Sequence, residues 1–320
     1  AGKTTTRALI ACVLSEMGSI HQTSGNFNNH IGLPKTITDA PENSTAWILE
    51  MGMSALGEID LLQDIAKPNI RLISNIGAAH VEGCGSIEGV AQAKGELFAG
   101  ARPNDICCVN MDDFRVAQLP IPEHAKVLRY GSGEDCSIRL LSFSIEGWST
   151  KFSIQTPKGI LNALIPVPGE FMAINACSAV AVGLSIGLGL DEIGRGLAKY
   201  EPVGWRMKRE ECGGIQFIND SYNANLLSMK AALETLAKIN GTDKLAILGD
   251  MLEMGETEES SHLEVLRLAL ELKLPTALVG ARFQKAAQAM SLEEQKQILH
   301  SSSSSQEMAE YLLKMSHPPK

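Results

Sequence analysis

Apolar residues set the rhythm of the chain. Leu9, Ile10, Val13, Leu14 and Met17 recur at helical spacing behind Thr4-Thr5-Thr6 and predict a helix opening near Lys3. Further on, apolar residues gather in short runs bounded by polar clusters, as buried strands do, at 46–49, 70–76, 105–110 and 126–130. A helical pattern fills 87–98. The stretch 21–34 is polar, contains Gly25 and Gly32 and ends in Pro34, so it reads as a long loop. Between 137 and 167 the pattern turns to β-rich stretches at 137–141, 149–154 and 160–167, closed by Pro168-Gly169. They predict an antiparallel β layer attached to a parallel sheet. An Ala-rich helix at 175–187 follows, then a helix capped by Asp191 that ends near Tyr200.

After Glu201-Pro202-Val203-Gly204-Trp205-Arg206 the pattern restarts. Strands at 215–218, 245–248 and 276–279 alternate with helices at 227–239, 260–272 and 283–290, which predicts a second, smaller parallel sheet. The serine run 301–305 reads as a linker or helix cap. The expected fold class is α/β: a central, mostly parallel sheet of the phosphate-loop ATPase type over 1–203, with the added antiparallel layer, then a smaller Rossmann-like α/β domain over 204–320.

Candidate chemistry lies at the predicted strand ends. Gly2-Lys3-Thr4 matches the back half of G-x-x-x-x-G-K-[ST], a loop whose backbone N–H groups wrap phosphates while its Lys neutralises them and its hydroxyl meets Mg²⁺. An ordinary helix start, with Thr as cap and Lys in solvent, fits the tripeptide too. Glu50 follows the strand at 46–49, on the edge where open α/β sheets hold ligands, and could hold Mg²⁺ or cap the next helix. Asn75-Ile76-Gly77-Ala78-Ala79-His80 runs off the next strand, where a lone His is structural or a ligand. Lys94 on its helix reads as a solvated surface group. The second domain opens with the polar run 219–225, again behind a buried strand.

Composition narrows the class. The 320 residues are 44% hydrophobic and 20% charged, enough for two cored domains. A net charge of −9 argues against nucleic acid or an acidic membrane surface as the main partner. The seven cysteines are scattered without a C-x-x-C pair, so neither a disulfide framework nor a zinc site is indicated, and a reducing cytoplasm fits. No apolar run has the length of a membrane span.

Taken together, Gly2-Lys3-Thr4-Thr5, the loop 25–34, Glu50-Met51-Gly52-Met53-Ser54, 75–80, Ala93-Lys94-Gly95-Glu96, 219–225 and Leu248-Gly249-Asp250-Met251 with Glu253 and Gly255 occur in one order over nearly the whole chain. That set resembles the ATP-dependent Mur ligases of bacterial cell-wall synthesis, and within them the type that joins D-alanyl-D-alanine to UDP-N-acetylmuramoyl-tripeptide. The resemblance implies that Gly2, Lys3, Thr4 and Thr5 hold ATP phosphates, and that Thr4, Glu50, His80 and Lys94 serve two Mg²⁺ ions, Lys94 as a carbamate. It implies that Asn175 contacts adenine, that Arg206 reaches the nucleotide, and that Asp220 and Asn223 touch ribose and phosphates. Asn28 and Asn29 would face the muramoyl-peptide, and Asp250 and Glu253 the incoming dipeptide. Lys3, Glu50, His80 and Lys94 form the implied catalytic set.

The chain departs from the family pattern in places. Phe171-Met172 stand where many relatives carry His-Asn, and Leu226 stands where Pro is common. No strand precedes Gly2, and the family's Lys-Gly-Ser-Arg segment is not reached by Lys320, so residues 1–320 alone are expected to be inactive or nearly so. The expected partners are the two small-molecule substrates, met by a monomer in the cytoplasm. Two alternatives stay open: another amino-acid ligase of the superfamily, adding diaminopimelate, lysine or glutamate, and an ATP-binding module without ligase activity.

Overall fold

A computed structural model describes residues 2–77, 81–241 and 243–315. The chain forms two compact units, Ala1–Glu201 and Pro202–Lys320.

The first unit opens with α1 (Lys3–Leu14), β1 (Ile20–Gln22), α2 (Gly32–Thr38), β2 (Ala46–Ile48), α3 (Glu58–Ala66) and β3 (Ile70–Ile73). It continues through α4 (Val81–Cys84), α5 (Ile87–Ala99), β4 (Ile106–Asn110), α6 (Phe114–Ala117) and β5 (Lys126–Gly131). Three longer strands follow, β6 (Ile138–Glu146), β7 (Ser149–Thr156) and β8 (Gly159–Ile165), then α7 (Glu170–Ser185) and α8 (Leu190–Ala198).

Strands β3 to β8 lie side by side in sequence order in one six-stranded sheet. Pairing is parallel from β3 to β6 and antiparallel from β6 to β8, so the expected antiparallel layer continues the same sheet. Strands β1 and β2 form a separate parallel pair. Cys107, Cys108 and Val109 of β4 are all buried, so both faces of that strand are covered, as in parallel sheets generally. Helix α7 packs on β4 to β7, and α1 packs on α7 and α8. On another side Ile59, Leu62, Ile73, Val90, Phe98, Cys107 and Val109 gather the cores of α3, α5, β3 and β4.

A buried ionic group crosses this core. Arg71 of β3 donates to the Asp105 carboxylate at 3.1 Å, to Gln63 Oε1 at 2.9 Å and to the Leu97 carbonyl at 2.8 Å. Arg102 reaches the same carboxylate from the surface.

The second unit holds β9 (Lys208–Cys212), β10 (Ile215–Asn219), α9 (Leu226–Lys238), β11 (Ala246–Gly249), α10 (Glu258–Glu271) and β12 (Thr276–Val279). It closes with α11 (Ala281–Gln288), α12 (Leu292–Gln295), β13 (Ile298–Ser302) and α13 (Ser305–Lys314). Its parallel sheet has the order β11-β12-β13.

Several expectations are corrected. Strand β10 does not open the second parallel sheet; it pairs antiparallel with β9. Gly213 and Gly214 both have positive φ, 59° and 80°, the backbone that a two-residue hairpin turn requires. Ser301 and Ser302 belong to β13 rather than to a linker, whereas Ser304 does cap α13 by accepting the Glu307 N–H. The loop expected over 21–34 is shorter, because β1 takes its first two residues and α2 its last three. Asp191 is not the cap of α8: Gly189 is, and its N–H donates to Glu192. The strand expected over 70–76 stops at Ile73, leaving 74–77 free to leave the sheet.

Candidate active site

Gly2 precedes helix α1 as its N-cap, with a φ of 77° that suits glycine, and no side chain caps the helix. Its first-turn N–H groups and the positive end of its dipole are therefore available to an anion. Thr4, Thr5 and Thr6 are buried, so the solvent-facing helix start is not what forms.

Beside α1 lies a cavity of about 610 Å³. Every residue from 44 to 51 and from 66 to 75 lines it, odd and even positions alike. Side chains of a strand alternate between faces, so a continuous run can line a cavity only along a strand's edge. The cavity thus sits between the outer edges of β2 and β3, neither of which carries a further strand among the described residues. Lys3, Arg7, Glu50 and Lys94 all reach it.

Glu50 is buried where the chain leaves β2. Its N–H donates to Thr23 Oγ1 at 2.9 Å, and its Oε1 accepts from Asn28 Nδ2 at 3.1 Å. Its Oε2 lies 3.4 Å from the Arg7 guanidinium and accepts no hydrogen bond. Asn28 is fixed from both ends, since its carbonyl also accepts the Gly52 N–H at 2.8 Å. A Cβ on Gly52 would come within 2.8 Å of Asn28 Oδ1, which accounts for glycine there. Asn29 accepts the N–H groups of Ile31 and Gly32 at the start of α2.

Lys94 is half-buried, contrary to its surface reading. Its Nζ donates to the Asn75 carbonyl at 2.8 Å. Burial pulls its pKa down to about 8, the Lys3 charge adds to this, and the Asp113 carboxylate opposes it. The segment beyond β3 is held at two further points: Asn110 Nδ2 donates to the Ser74 carbonyl at 2.7 Å, and the Ile76 N–H donates to Asp113 Oδ2 at 2.7 Å. His80 lies outside the described residues. On α7, Asn175 Oδ1 accepts from Thr6 Oγ1 at 3.3 Å and faces Gly2.

The structure therefore brings Lys3, Glu50 and Lys94 to one cavity, with Thr4 on the same helix turn and Asn175 against it. Sequence reasoning missed Arg7, Asn110 and Asp113. The rule that singled out Glu50, a polar residue just past a buried parallel strand, applies equally to Asn110-Met111-Asp112-Asp113 behind β4.

In the second unit, Arg206 stacks on the Tyr222 ring, 3.6 Å from its centroid, and the Tyr222 N–H donates to the Trp205 carbonyl. Asp220 accepts the Met207 N–H at 3.0 Å. Arg206, Asp220 and the exposed Asn223 thus occupy one neighbourhood. Asp250 takes a structural place, accepting the N–H groups of Arg282 and Phe283 at the start of α11, with Gly280 packed on its carboxyl. Glu253 is exposed, with a φ of 58°.

Burial pushes the Asp220 carboxyl up to about 6, against the Met207 N–H and Arg206, which lower it. Below about pH 4 both folded and unfolded chains hold this proton, so the shift is without effect. As pH rises to about 6 the unfolded chain ionises first and stability falls, leaving a cost of up to about 3 kcal/mol at neutral pH. Asp220→Asn, which keeps an oxygen for Met207, is expected to raise stability at pH 7 and to flatten the decline between pH 4 and 6. Urea melts at several pH values check this.

Comparison with known proteins agrees with this architecture. The Mur ligase middle domain family matches residues 1–183, and the family described as Mur ligase, glutamate ligase domain matches residues 205–319. The chain belongs to the Mur ligase family. It is 40% identical over 266 residues to the UDP-N-acetylmuramoyl-tripeptide–D-alanyl-D-alanine ligase of Bacillus subtilis, covering 82% of this chain and 57% of that protein. It is 36% identical over 268 residues to the ligase of that name from Escherichia coli, covering 82% and 59%. Among solved structures it superposes on MurF from Acinetobacter baumannii with a TM-score of 0.89 at 28% identity, covering 98% of this chain and 68% of that one. The matches thus span less than two thirds of these two curated relatives.

Proposed function

We propose that the protein of this chain forms a peptide bond at the expense of ATP, joining D-alanyl-D-alanine to UDP-N-acetylmuramoyl-tripeptide through an acyl phosphate. The observation that carries this is the convergence of Lys3, Glu50 and Lys94 on one cavity beside the uncapped start of α1. The names of the curated relatives supply the substrates. With a net charge of −9, small anionic substrates would be held locally rather than by the overall charge, and the protein is proposed to act as a monomer in the cytoplasm.

In this reading the first-turn N–H groups of α1 and the Lys3 ammonium receive the ATP phosphates. The donor set fits Mg²⁺, a hard ion that takes oxygen ligands, because Glu50 Oε2 is buried without a hydrogen-bond donor. Thr4, Glu50 and His80 would hold two such ions, together with Lys94 as its carbamate. Bound Mg²⁺ neutralises phosphate charge as it spreads during transfer. The γ-phosphoryl group passes to the tripeptide's terminal carboxylate; the dipeptide amine then attacks that carbonyl, and phosphate leaves as the C–N bond forms. Asn175, which lies beside Gly2, serves adenine, and Arg206, Asp220 and Asn223 serve the nucleotide. Asn28 and Asn29 face the muramoyl-peptide, and Asp250 and Glu253 lie near the incoming dipeptide.

The Lys94 pKa of about 8 leaves about a quarter of the amine neutral at pH 7.5, against roughly one part in a thousand for an ordinary lysine. A neutral amine adds to CO₂, forming the N–C bond as one C–O π pair becomes the carboxylate charge and nitrogen loses a proton.

The test is ADP release by the full-length protein given ATP, Mg²⁺, UDP-N-acetylmuramoyl-tripeptide and one candidate acceptor at a time. D-alanyl-D-alanine is expected to exceed diaminopimelate, lysine and glutamate by about 100-fold or more, the discrimination that buried polar contacts supply. Equal stimulation by the amino acids, or none by any acceptor, sinks the proposal.

A further inference from the structure

Three side chains hold three consecutive backbone groups where the chain leaves β3. Asn110 takes the Ser74 carbonyl, Lys94 the Asn75 carbonyl and Asp113 the Ile76 N–H. Two of the three come from the end of one strand, β4, and its following turn. Asp113 divides its carboxylate between two tasks. Oδ1 accepts the Arg115 and Val116 N–H groups at 3.0 Å each, capping α6, and Oδ2 alone faces Ile76. A cap needs one oxygen, and serine or asparagine provides it as well as aspartate does. The second oxygen therefore exceeds what the helix requires. Its 2.7 Å contact is a charge-assisted bond, the stronger kind.

We propose that Asp113 is a positioning residue for the backbone at 74–77, holding in register the carbonyl that carries the Lys94 amine and the segment that continues to His80. The proposal rests on the functional reading above, in which Lys94 and His80 serve the reaction. Asp113 touches neither substrate nor metal in it; it acts through Ile76.

The two tasks can be separated. Asp113→Ser retains a hydroxyl for the α6 N–H groups and is too short to reach Ile76. Asp113→Asn keeps Oδ1 for the cap and, with its amide nitrogen on the other arm, turns a donor toward the Ile76 N–H. In the full-length protein, both are expected to leave the melting temperature and the exchange of α6 amides nearly unchanged. The Ile76 amide is expected to exchange about tenfold faster or more. The Mg²⁺ concentration for half-maximal ADP formation is expected to rise by about tenfold, with a smaller change in KM for D-alanyl-D-alanine. Unchanged exchange at Ile76 in both variants overturns the proposal, as does faster exchange with an unaltered Mg²⁺ requirement. Failure of the unsubstituted protein to ligate would instead remove the functional reading, and Ile76 exchange would still decide whether Asp113 holds this segment.

Discussion

Lys94→Ala is expected to lower ligation by the full-length protein by about 10³-fold, with activity partly restored by short carboxylates such as acetate or formate. The expectation follows from where the amine lies. It sits half-buried on α5, reaches the cavity that Lys3 and Glu50 share, and rests on the Asn75 carbonyl. Removing a single preorganised charged group at a phosphoryl- or acyl-transfer centre costs about 10²–10³ in turnover, and a metal ligand sits at the upper end. A free carboxylate entering the space left by the side chain supplies the oxygen anion that a carbamate would have carried. Alanine retains helix propensity, so α5 persists. Initial rates with and without 50–100 mM carboxylate, an order-of-magnitude range suited to a weak rescue ligand, make the measurement. Undiminished turnover in Lys94→Ala would take this residue out of the mechanism, and loss without any rescue would confine it to packing.

Asp105→Ala is expected to destabilise the first unit by about 3–5 kcal/mol, roughly 10 °C in melting temperature. Arg71 is 1% exposed, and its guanidinium is matched there by one carboxylate, one amide oxygen and one carbonyl. Without Asp105 the buried cation loses its counter-charge, and the Arg102 side chain loses its carboxylate while keeping the Lys67 and Pro68 carbonyls. Burial pushes the Asp105 carboxyl up, but the Arg102 N–H with the Arg102 and Arg71 side chains outweighs burial, and the net direction is down. A lowered folded pKa means that this stabilisation is complete above the ordinary carboxylate range and is lost as pH falls through the folded value. Replacing both charges, as Arg71→Met with Asp105→Leu, should recover part of the loss. Calorimetry on the single and double variants settles it; a double variant less stable than Asp105→Ala would show that the hydrogen bonds to Gln63 and Leu97 outweigh the ion pair.

How much of this was legible in the sequence depends on the kind of signal. Strand β4 is an apolar run covered by packing on both faces, and such a run reads plainly. Strands β9 and β13 do not. Lys208-Arg209-Glu210-Glu211-Cys212 is polar, and β13 runs into serine, so hydrophobic periodicity is silent and only hydrogen bonding to β10 and β12 makes them strands. The Gly213-Gly214 pair was the readable sign of the hairpin. Lys94 illustrates a different limit. On its helix it resembles any solvated lysine, and it is the folding of α5 against β3 that brings it to the Asn75 carbonyl; the motif resemblance, not periodicity, pointed to it. Asn28 and Asn29 were placed near the substrate by that resemblance, and their hydrogen bonds show that they also build the turn that carries Glu50 and the start of α2.

The space between β2 and β3 differs in kind from a ligand pocket. Two strand edges that carry no further strand among the described residues border it, and α1, the element that follows the loop in a strand–phosphate loop–helix unit, starts beside it. The N–H and C=O groups along two such edges are satisfied together by one extended, apolar-flanked strand of polypeptide, not by a small molecule. The seat for a nucleotide is therefore set by Lys3, Glu50 and Lys94 at the lining, and the volume between the strands is no measure of its size.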